Sequence, residues 1–426
     1  MNLVRRLRVS QLGSWITTFR PYSGKDKDKD KSKPDPKNKP KTVPKTEPKK
    51  DLPKAQVKTQ DKDKAKGKAN DKGNNKGNNK GTDKGKDKGQ GKGEDEFGEA
   101  DGFPKDTNKV TLINGEGVGP ELMSAVQEVF KAAKAPIEWE VHDDFQVSPD
   151  NEDVSPAVLE SLRKNRVGLK GPVESRHWQR HIRKQFNQFA YVSACKSIEG
   201  LNSPYGEFDM LIIRDQMEGD YSGIEHRVVP GVMQTIKVCT TNGAQRLARY
   251  VFLYATRNNR KKITVAHKAN IMRMTDGNFL DAMQRQGDSY KQKIKFEDRY
   301  LDTVCLNMLM KPDQADVLTS SSMYGDVMRV IAGGMMGAVG ICPGFSVSPL
   351  GTVFDCRMKS NLANPTGPLL ASVLMLRHIK QDKFADRIEC AIRKVFRDTD
   401  IRTKDMGGTA TVSEFVEAVC DGLEDN

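Results

Sequence analysis

The stretch Ile213-Arg-Asp-Gln-Met-Glu-Gly-Asp-Tyr-Ser-Gly-Ile-Glu-His226 combines an arginine, several carboxylates, a tyrosine and two glycines. It continues the apolar run Met210-Leu-Ile-Ile213, which predicts a buried strand. Residues from Arg214 onward are therefore expected at the rim where this strand leaves the core. There Arg214 can bind a carboxylate through its fork of donors, and Tyr221 can exchange a proton with a developing enolate. Residue types alone favour a surface loop with a few ion pairs.

The order of the residues in this stretch favours a functional site over a surface loop. The stretch closely resembles the Arg-Glu-Asn-Thr-Glu-Gly-Glu-Tyr segment of the β-decarboxylating dehydrogenases, and Tyr221-Ser-Gly-Ile-Glu-His226 is similar to the sequel in the mitochondrial NAD-dependent isocitrate dehydrogenases. Asn114-Gly-Glu-Gly-Val-Gly-Pro-Glu121 also looks like that family's Gly-Asp-Gly-Ile-Gly-Pro-Glu opening. The resemblance runs from Val110 to the end of the chain. It implies the isocitrate/isopropylmalate dehydrogenase fold, with two α/β domains around a cleft, and a dimer with shared sites.

Alternating strands and helices independently predict an α/β architecture in which helices cover a large sheet. Hydrophobic patterning predicts strands at 109–113, 137–141, 210–213, 262–266, 294–300 and 316–318. It predicts helices at about 120–133, 156–165, 244–255, 277–286, 303–310, 325–335, 366–380, 384–397 and 411–422. The segment Val167-Gly-Leu-Lys-Gly-Pro172 resembles the family's loop beside the nicotinamide.

Composition divides the chain near residue 100. Residues 1–100 contain 4 Arg and 24 Lys against 15 acidic residues, and so carry the net charge of +13 that the whole chain has. The remainder is balanced, which argues against a nucleic-acid partner. No apolar run approaches the length of a membrane span.

The first 100 residues predict two segments that precede the folded domain. Residues 1–23 are rich in Arg and contain no acid, which is typical of a mitochondrial transit peptide and indicates the mitochondrial matrix. Residues 24–100 are Lys, Asp, Gly, Pro and Asn with almost no aromatic side chain, which predicts a disordered linker. A tether to nucleic acid or to an acidic surface is the alternative. Residues 101–426 form the predicted dehydrogenase-like domain.

The resemblance assigns proton-transfer and metal roles to four residues. Tyr221 matches the tyrosine that protonates the enolate, and Lys268, in His267-Lys-Ala-Asn-Ile-Met272, matches the lysine that acts in the neighbouring subunit's site. Asp302 matches the metal aspartate lent across the interface, and Asp326 matches the first cis aspartate for Mg²⁺ or Mn²⁺. The second cis aspartate is replaced by Val330, and the cation Arg329 stands beside it. The resemblance therefore implies a weakened metal site.

The substrate and cofactor motifs are also incomplete. Arg183, Arg214 and Asn270 match substrate-binding positions for isocitrate, whereas a further arginine is replaced by Ser193 and a Ser-x-Asn pair reads His177-Trp-Gln179. The family's NAD-binding His-Gly-Thr-Ala-Pro-Asp loop is shortened to Phe354-Asp-Cys-Arg-Met-Lys-Ser-Asn-Leu362. Only Asn364, the predicted cap of the next helix with Pro365 at its first position, remains as a weak cofactor-binding candidate.

The seven cysteines show no C-x-x-C spacing, so we predict neither a zinc site nor a disulfide framework and expect most of them to be buried. Similar losses mark the noncatalytic subunits of the mitochondrial enzyme, whereas Tyr300-Leu-Asp-Thr-Val-Cys-Leu-Asn-Met308 resembles the catalytic subunit. We hypothesise a subunit of NAD-dependent isocitrate dehydrogenase that is impaired alone and pairs with homologous subunits. Alternatives are an active NAD-dependent dehydrogenase with an altered cofactor loop, and a non-enzymatic interaction protein that uses the basic tail.

Overall fold

The structure is a computed structural model that describes residues 108–143, 154–201, 203–359 and 361–424. The predicted transit peptide and linker lie outside these residues. The described strands are β1 (Lys109–Ile113), β2 (Glu138–His142), β3 (Val167–Lys170), β4 (Ala190–Lys196), β5 (Asp209–Asp215), β6 (Gly219–Val229), β7 (Val232–Val238), β8 (Lys262–His267), β9 (Lys295–Tyr300), β10 (Val317–Ser320), β11 (Pro343–Val347) and β12 (Thr352–Cys356). The described helices are α1 (Gly119–Ala132), α2 (Pro156–Asn165), α3 (Arg176–Phe186), α4 (Thr241–Arg257), α5 (Thr275–Tyr290), α6 (Leu301–Met310), α7 (Ser322–Met336), α8 (Thr366–His378), α9 (Asp382–Asp398) and α10 (Val412–Glu424).

Ten of these strands form one continuous sheet in the order β2-β1-β3-β12-β11-β4-β5-β10-β8-β9. The strands β2, β1, β3 and β12 are parallel to one another, and so are β5, β10, β8 and β9. Antiparallel pairings of β11 with β12 and β4, and of β4 with β5, join the two parallel halves. This α/β architecture confirms the predicted fold class.

The burial of each element follows its place in the sheet. β10 is buried throughout and β5 at every residue but its first, whereas the edge strands β2 and β9 are half exposed. Parallel strands covered on both faces need such continuous apolar runs. In α4 the six apolar residues predicted to share one face are all buried: Ala244, Leu247, Ala248, Val251, Phe252 and Ala255.

The antiparallel centre of the sheet positions the residues discussed below. Tyr191 of β4 pairs in register with Arg214 of β5, so their side chains emerge on the same face. The guanidinium carbon of Arg214 lies 5.2 Å from the centroid of the Tyr191 ring. This stacking is a cation–π contact, and it fixes the direction of the arginine.

A two-stranded hairpin follows β5 and was not predicted from the sequence. The strand predicted at 210–213 is longer than expected, because β5 continues to Asp215 and β6 begins at Gly219. The Asp215 carboxylate accepts hydrogen bonds from the backbone N–H groups of Met217 and Glu218 and so shapes the turn between the strands. β6 pairs with β7, and most of their side chains are exposed.

Three further expectations need correction. Val167–Lys170 is the buried strand β3, so only Gly171 and Pro172 remain of the predicted nicotinamide-side loop. Phe354, Asp355 and Cys356 belong to β12, which leaves the shortened segment to begin at Arg357. We expected most of the seven free cysteines to be buried, but only three of them are, namely Cys195, Cys342 and Cys356.

In the described part of the chain, no helix is both long and apolar enough to cross a membrane.

Candidate functional site

The centre of the candidate site is the side chain of Arg214, which is only 1% exposed. Gly325 in α7 allows this burial, because a Cβ added there would lie 2.4 Å from the Cβ of Arg214. The close approach of α7 to β5 brings Asp326, the next residue, within ion-pair distance. Arg214 Nε lies 3.1 Å from Asp326 Oδ1, and Nη1 donates to the carbonyl oxygen of Asp215.

Asp326 binds two further guanidinium groups and a phenol. Arg357 Nη1 donates to Asp326 Oδ1 at 2.5 Å, and Arg329 Nε lies 3.8 Å from the same oxygen atom. The Tyr221 hydroxyl donates to Asp326 Oδ2 at 2.9 Å. One carboxylate is therefore surrounded by three arginines and a tyrosine. The structure thus brings together three of the predicted site residues, Arg214, Tyr221 and Asp326.

The charges of this cluster shift the pKa values of its members. Burial alone would raise the pKa of Asp326, but the guanidinium groups of Arg214 and Arg357 outweigh it and hold this pKa at about 2. Burial and the neighbouring Asp326 carboxylate raise the pKa of Tyr221. At neutral pH Asp326 is thus an anion, and the Tyr221 phenol keeps its proton.

Arg183 lies at the edge of the same positive field. It belongs to α3, and its Nε donates to the carbonyl oxygen of Gln179 at 2.9 Å. Burial, together with the neighbouring cations Arg214 and Arg357, lowers the pKa of Arg183 to about 10. Gln179, which stands at a substrate position of the family, donates to the carbonyl oxygen of Val173 and so supports the segment before α3.

A second carboxylate lies on the other side of Tyr191. The Tyr191 hydroxyl donates to Asp355 Oδ1 at 2.6 Å, and Lys170 Nζ lies 3.2 Å from Asp355 Oδ2. Arg357, two residues after Asp355, lies 5.9 Å from the Tyr191 ring centroid. Tyr191 therefore separates the paired Asp355 from the arginine cluster.

Lys268 and Asp302 form a separate, solvent-accessible pair. Lys268 Nζ donates to Asp302 Oδ2 at 2.7 Å, and this hydrogen bond lowers the pKa of Asp302. The backbone N–H of Lys268 donates to Asp276, whose carboxylate also pairs with Lys237 at 2.7 Å. The backbone at Lys268 is thus held in place by the buried carboxylate of Asp276. Asn270, the other predicted residue of this segment, is exposed.

The divalent metal predicted from the resemblance does not fit the residues around Asp326. The lone pairs that a hard cation would need are engaged, because Oδ1 of Asp326 faces guanidinium groups and Oδ2 accepts from Tyr221, and Val330 supplies no oxygen ligand. Among the described residues, no three His, Cys, Asp or Glu side chains converge as a metal site. A cation entering here would meet the positive charges of Arg329 and Arg357.

The predicted cofactor contact at Asn364 does not fit either. Its side chain is fully buried. Its Oδ1 accepts a hydrogen bond from the backbone N–H of Thr366, and its Nδ2 donates to Asp405. The asparagine therefore holds the start of α8, which begins at Thr366 as predicted. Because this amide is buried and bonded within the fold, it is not available to a dinucleotide.

Sequence reasoning missed Arg357, which binds Asp326, and Asp276, which anchors Lys268. It did indicate Arg329 as a cation near the metal position, and this residue lies three residues from Asp326 in α7, at a spacing that allows their ion pair. Arg357 lies 31 residues from Asp326, and nothing in its local sequence indicates the contact. Asp276 gave no signal, because it appears as an ordinary acidic residue in the first turn of α5.

Comparisons with known proteins agree with this fold. The sequence profile of the isocitrate/isopropylmalate dehydrogenases matches residues 109–419. The probable mitochondrial isocitrate dehydrogenase [NAD] subunit alpha of Drosophila melanogaster is 43% identical over 329 residues, which cover 74% of this chain and 87% of that protein. The mitochondrial subunit alpha of Homo sapiens is 42% identical over 341 residues, which cover 76% of this chain and 93% of that protein.

Solved structures show the same likeness. The isocitrate dehydrogenase of Methylococcus capsulatus is similar with a TM-score of 0.68 and 30% identity, over 74% of this chain and 99% of that one. The α/β fold of this chain, with its continuous sheet, is therefore similar to that of a solved isocitrate dehydrogenase. The chain belongs to the isocitrate/isopropylmalate dehydrogenase family, as the sequence resemblance predicted.

Proposed function

We propose that this chain is a subunit of a mitochondrial NAD-dependent isocitrate dehydrogenase, which converts isocitrate to 2-oxoglutarate. It turns over little alone and acts as a structural or regulatory member of a heteromer. In this proposal it lends Lys268 and Asp302 to the site of a homologous subunit, while its own Tyr221, Arg183, Arg214 and Asp326 form an incomplete site.

The main support for the proposal comes from the surroundings of the Lys268–Asp302 pair. The pair is exposed, yet large apolar side chains that are also exposed lie close to it in the sequence, including Ile271 and Met274 before α5 and Leu306 and Met310 in α6. Met274 is 86% exposed. Such an apolar surface is typical of a contact with another subunit. A lysine and an aspartate held there would lie at the boundary of the neighbour's site.

The local site supports low turnover by the isolated chain. Stabilising an enolate with a divalent metal needs oxygen ligands that accept the cation. Here Asp326 binds arginines, and Val330 stands where the family has its second metal aspartate. The Asn364 side chain is hydrogen-bonded to Thr366 and Asp405. NAD and Mg²⁺ or Mn²⁺ therefore belong to the partner's site in this proposal.

Relatives and the amino-terminal sequence support a mitochondrial location. The similar subunits of Drosophila melanogaster and Homo sapiens are mitochondrial by name. In the proposal, residues 1–23 direct import to the matrix, residues 24–100 are a linker, and residues 101–426 form the dehydrogenase-like domain.

Co-expression with a complete α-type subunit tests this proposal. The two chains should co-purify, and the heteromer should reduce NAD⁺ with isocitrate and Mg²⁺ at an ordinary rate of about 1–10³ s⁻¹. Lys268→Ala or Asp302→Asn in this chain should lower kcat about 10²-fold or more without preventing assembly, because each removes a group that acts in the partner's site. Steady-state kinetics and light scattering measure the two effects.

Lys291→Ala is the matched control, because Lys291 pairs with Asp288 on an exposed surface and should leave both rate and assembly unchanged. An ordinary rate from the isolated chain, freed of residues 1–100, would contradict the proposal. So would a heteromer whose rate does not respond to Lys268→Ala.

An active dehydrogenase with another mode of NAD⁺ binding is the second candidate. A cavity of about 520 Å³ lies beside the shortened segment, lined by Lys170, Asp355, Arg357, Met358, Leu362 and Asp405 among others. Calorimetry of the isolated chain with NAD⁺ separates the two candidates, because only the active enzyme should release heat of binding.

A further inference from the structure

Two free cysteines face each other near the centre of the sheet. The Sγ atoms of Cys195, in β4, and Cys342, just before β11, lie 3.1 Å apart, within hydrogen-bonding distance. Both side chains are almost completely buried. The proposed function uses neither thiol, so their close approach needs a separate explanation.

The pairing of β4 with β11 accounts for this approach. In their antiparallel ladder, Gly344 lies opposite Ser193. The same register, continued by two residues, sets Cys342 opposite Cys195. Opposite residues of an antiparallel pair have Cα atoms about 4.5–5.5 Å apart, within the range of about 4.4–6.8 Å that a disulfide spans. A bond between the two sulfur atoms therefore requires little movement of the backbone.

The surroundings of the pair make one of its thiols the nucleophile. The hydrogen bond from Cys195 and the neighbouring guanidinium of Arg329 lower the pKa of Cys342, although burial opposes this shift. The same hydrogen bond, together with burial, raises the pKa of Cys195. Because the thiolate is the reactive form, Cys342 is the sulfur that attacks first and Cys195 is the sulfur that follows.

A cavity gives a small oxidant a route towards the pair. It has a volume of about 520 Å³ and is lined by Gly340 and Cys356 among others. Gly340 stands two residues before Cys342 in the chain. Burial raises the pKa of Cys356, which keeps that thiol protonated and unreactive although it lines the cavity. A peroxide molecule is little larger than water, so it suits this route better than a bulky disulfide reagent.

We propose that Cys195 and Cys342 form a redox site at which a peroxide converts two thiols to an intrachain disulfide. The Cys342 thiolate attacks one peroxide oxygen, the O–O bond breaks, and a sulfenic acid and a hydroxide ion form. Cys195 gives its proton to this hydroxide, and its sulfur then attacks the sulfenic sulfur. The S–S bond forms and a second hydroxide leaves, which takes up the proton that Cys342 had released. Two electrons pass from sulfur to the peroxide, and two water molecules are produced.

The disulfide links β4 covalently to the segment that enters β11. These strands belong to the antiparallel centre that joins the two parallel halves of the sheet, so oxidation fixes that junction. Disulfides within cells are usually transient and redox-sensing, which fits a pair that the structure holds as free thiols. The inference concerns this chain by itself and is independent of the proposed function.

Peptide mass spectrometry of the full chain tests the proposal. The folded chain is treated with a small excess of hydrogen peroxide, its remaining thiols are alkylated in denaturant, and it is digested without a reductant. A cross-linked peptide that contains Cys195 and Cys342 should be the main disulfide, and dithiothreitol added in denaturant before alkylation should restore both thiols. The proposal is overturned if both thiols remain free while the exposed Cys390 is oxidised, or if the two are oxidised to separate sulfinic acids.

The unfolded chain provides the first control. Oxidation in urea removes the proximity that the fold imposes, so the link between Cys195 and Cys342 should lose its dominance over other pairings. A link that dominated equally in the folded and the unfolded chain would contradict the proposal, because the geometry of β4 and β11 would then play no part.

Single substitutions provide the second control. Cys390→Ser should leave the cross-link unchanged, because Cys390 is exposed on α9. Cys342→Ser should abolish the cross-link and leave Cys195 without a disulfide partner, and circular dichroism checks that this variant folds. A folded Cys342→Ser variant in which Cys195 still formed an intrachain disulfide would refute the assignment of the pair.

Discussion

At the scale of single residues, the electrostatics of the site depend on Asp326. One of its oxygen atoms faces the guanidinium groups of Arg214, Arg329 and Arg357. Coulomb attraction is strong in this buried setting, and it exceeds the effect of burial on the pKa of the carboxyl group. The carboxylate stabilises the fold because it is the counter-ion of three cations, of which Arg214 and Arg329 are almost completely buried.

Asp326→Asn should therefore destabilise the protein strongly. The variant keeps the shape of the side chain but leaves three buried or half-buried guanidinium groups without an anion, which should lower the free energy of unfolding by about 3–5 kcal/mol. Urea unfolding followed by circular dichroism measures this change. Asp281→Asn, which breaks an exposed pair with Arg285, should cost no more than about 0.5 kcal/mol. Equal effects of the two substitutions would show that the cluster does not act as a buried ion network.

At the scale of elements, the hairpin of β6 and β7 needs contacts from outside itself to be stable. A two-stranded ribbon is only marginally stable in water, and this one exposes apolar side chains along its length. These are Ile224, Val228, Val229, Val232, Met233 and Ile236. Because both strands are edge strands and their apolar side chains are exposed, the hairpin is suited to pack against a second subunit.

Ile236→Asp should weaken subunit association. Ile236 pairs across the hairpin with Ile224, and a carboxylate there would be desolvated in the interface. The expected effect is an increase of at least about tenfold in the dissociation constant of the oligomer, measured by sedimentation at several concentrations. Val141→Asp is the control, since Val141 is equally exposed but lies on the edge strand β2. If Val141→Asp dissociated the oligomer and Ile236→Asp did not, the assignment of the hairpin would be wrong.

At the scale of the whole molecule, one sheet joins both halves, so a buried titratable group in either half affects the stability of the whole. His378 ends α8, and its ring lies 5.3 Å from that of Phe354 in β12. Burial lowers the pKa of His378 to about 4. The folded protein therefore keeps this imidazole neutral at a pH where the unfolded chain already binds a proton.

Stability should consequently fall as the pH decreases from about 6.5 to about 4. In this window the unfolded state takes up a proton that the folded state does not, so the free energy of unfolding should decrease by up to about 3 kcal/mol. His378→Phe should reduce this pH dependence, and a cavity of about 230 Å³ beside the ring leaves room for it. Urea unfolding at about pH 7 and about pH 5 measures how much the free energy of unfolding decreases between these two pH values. An equal decrease for His378→Phe and the unaltered chain would contradict the prediction.

Local sequence was sufficient for most of the elements. The apolar run before Arg214 predicted β5, and the apolar face from Ala244 to Ala255 predicted α4, because buried strands and helices impose their own periods on the chain. The hairpin β6–β7 was missed since its side chains are mostly exposed and show no alternation. The order of residues in the segments that resemble the family also indicated that family and the residues Arg214, Tyr221, Lys268, Asp302 and Asp326.

The sequence by itself determined the α/β class, the family and the absence of a second carboxylate at Val330, because each of these depends on residue types within one segment. Only the tertiary structure decided that Arg357 occupies the space beside Asp326 and that Arg214 is buried. These facts depend on β4, β5, α7 and the end of β12 meeting at one point of the sheet. Electrostatic energy falls with distance in space and not along the chain, so segments far apart in sequence set the charge of the site.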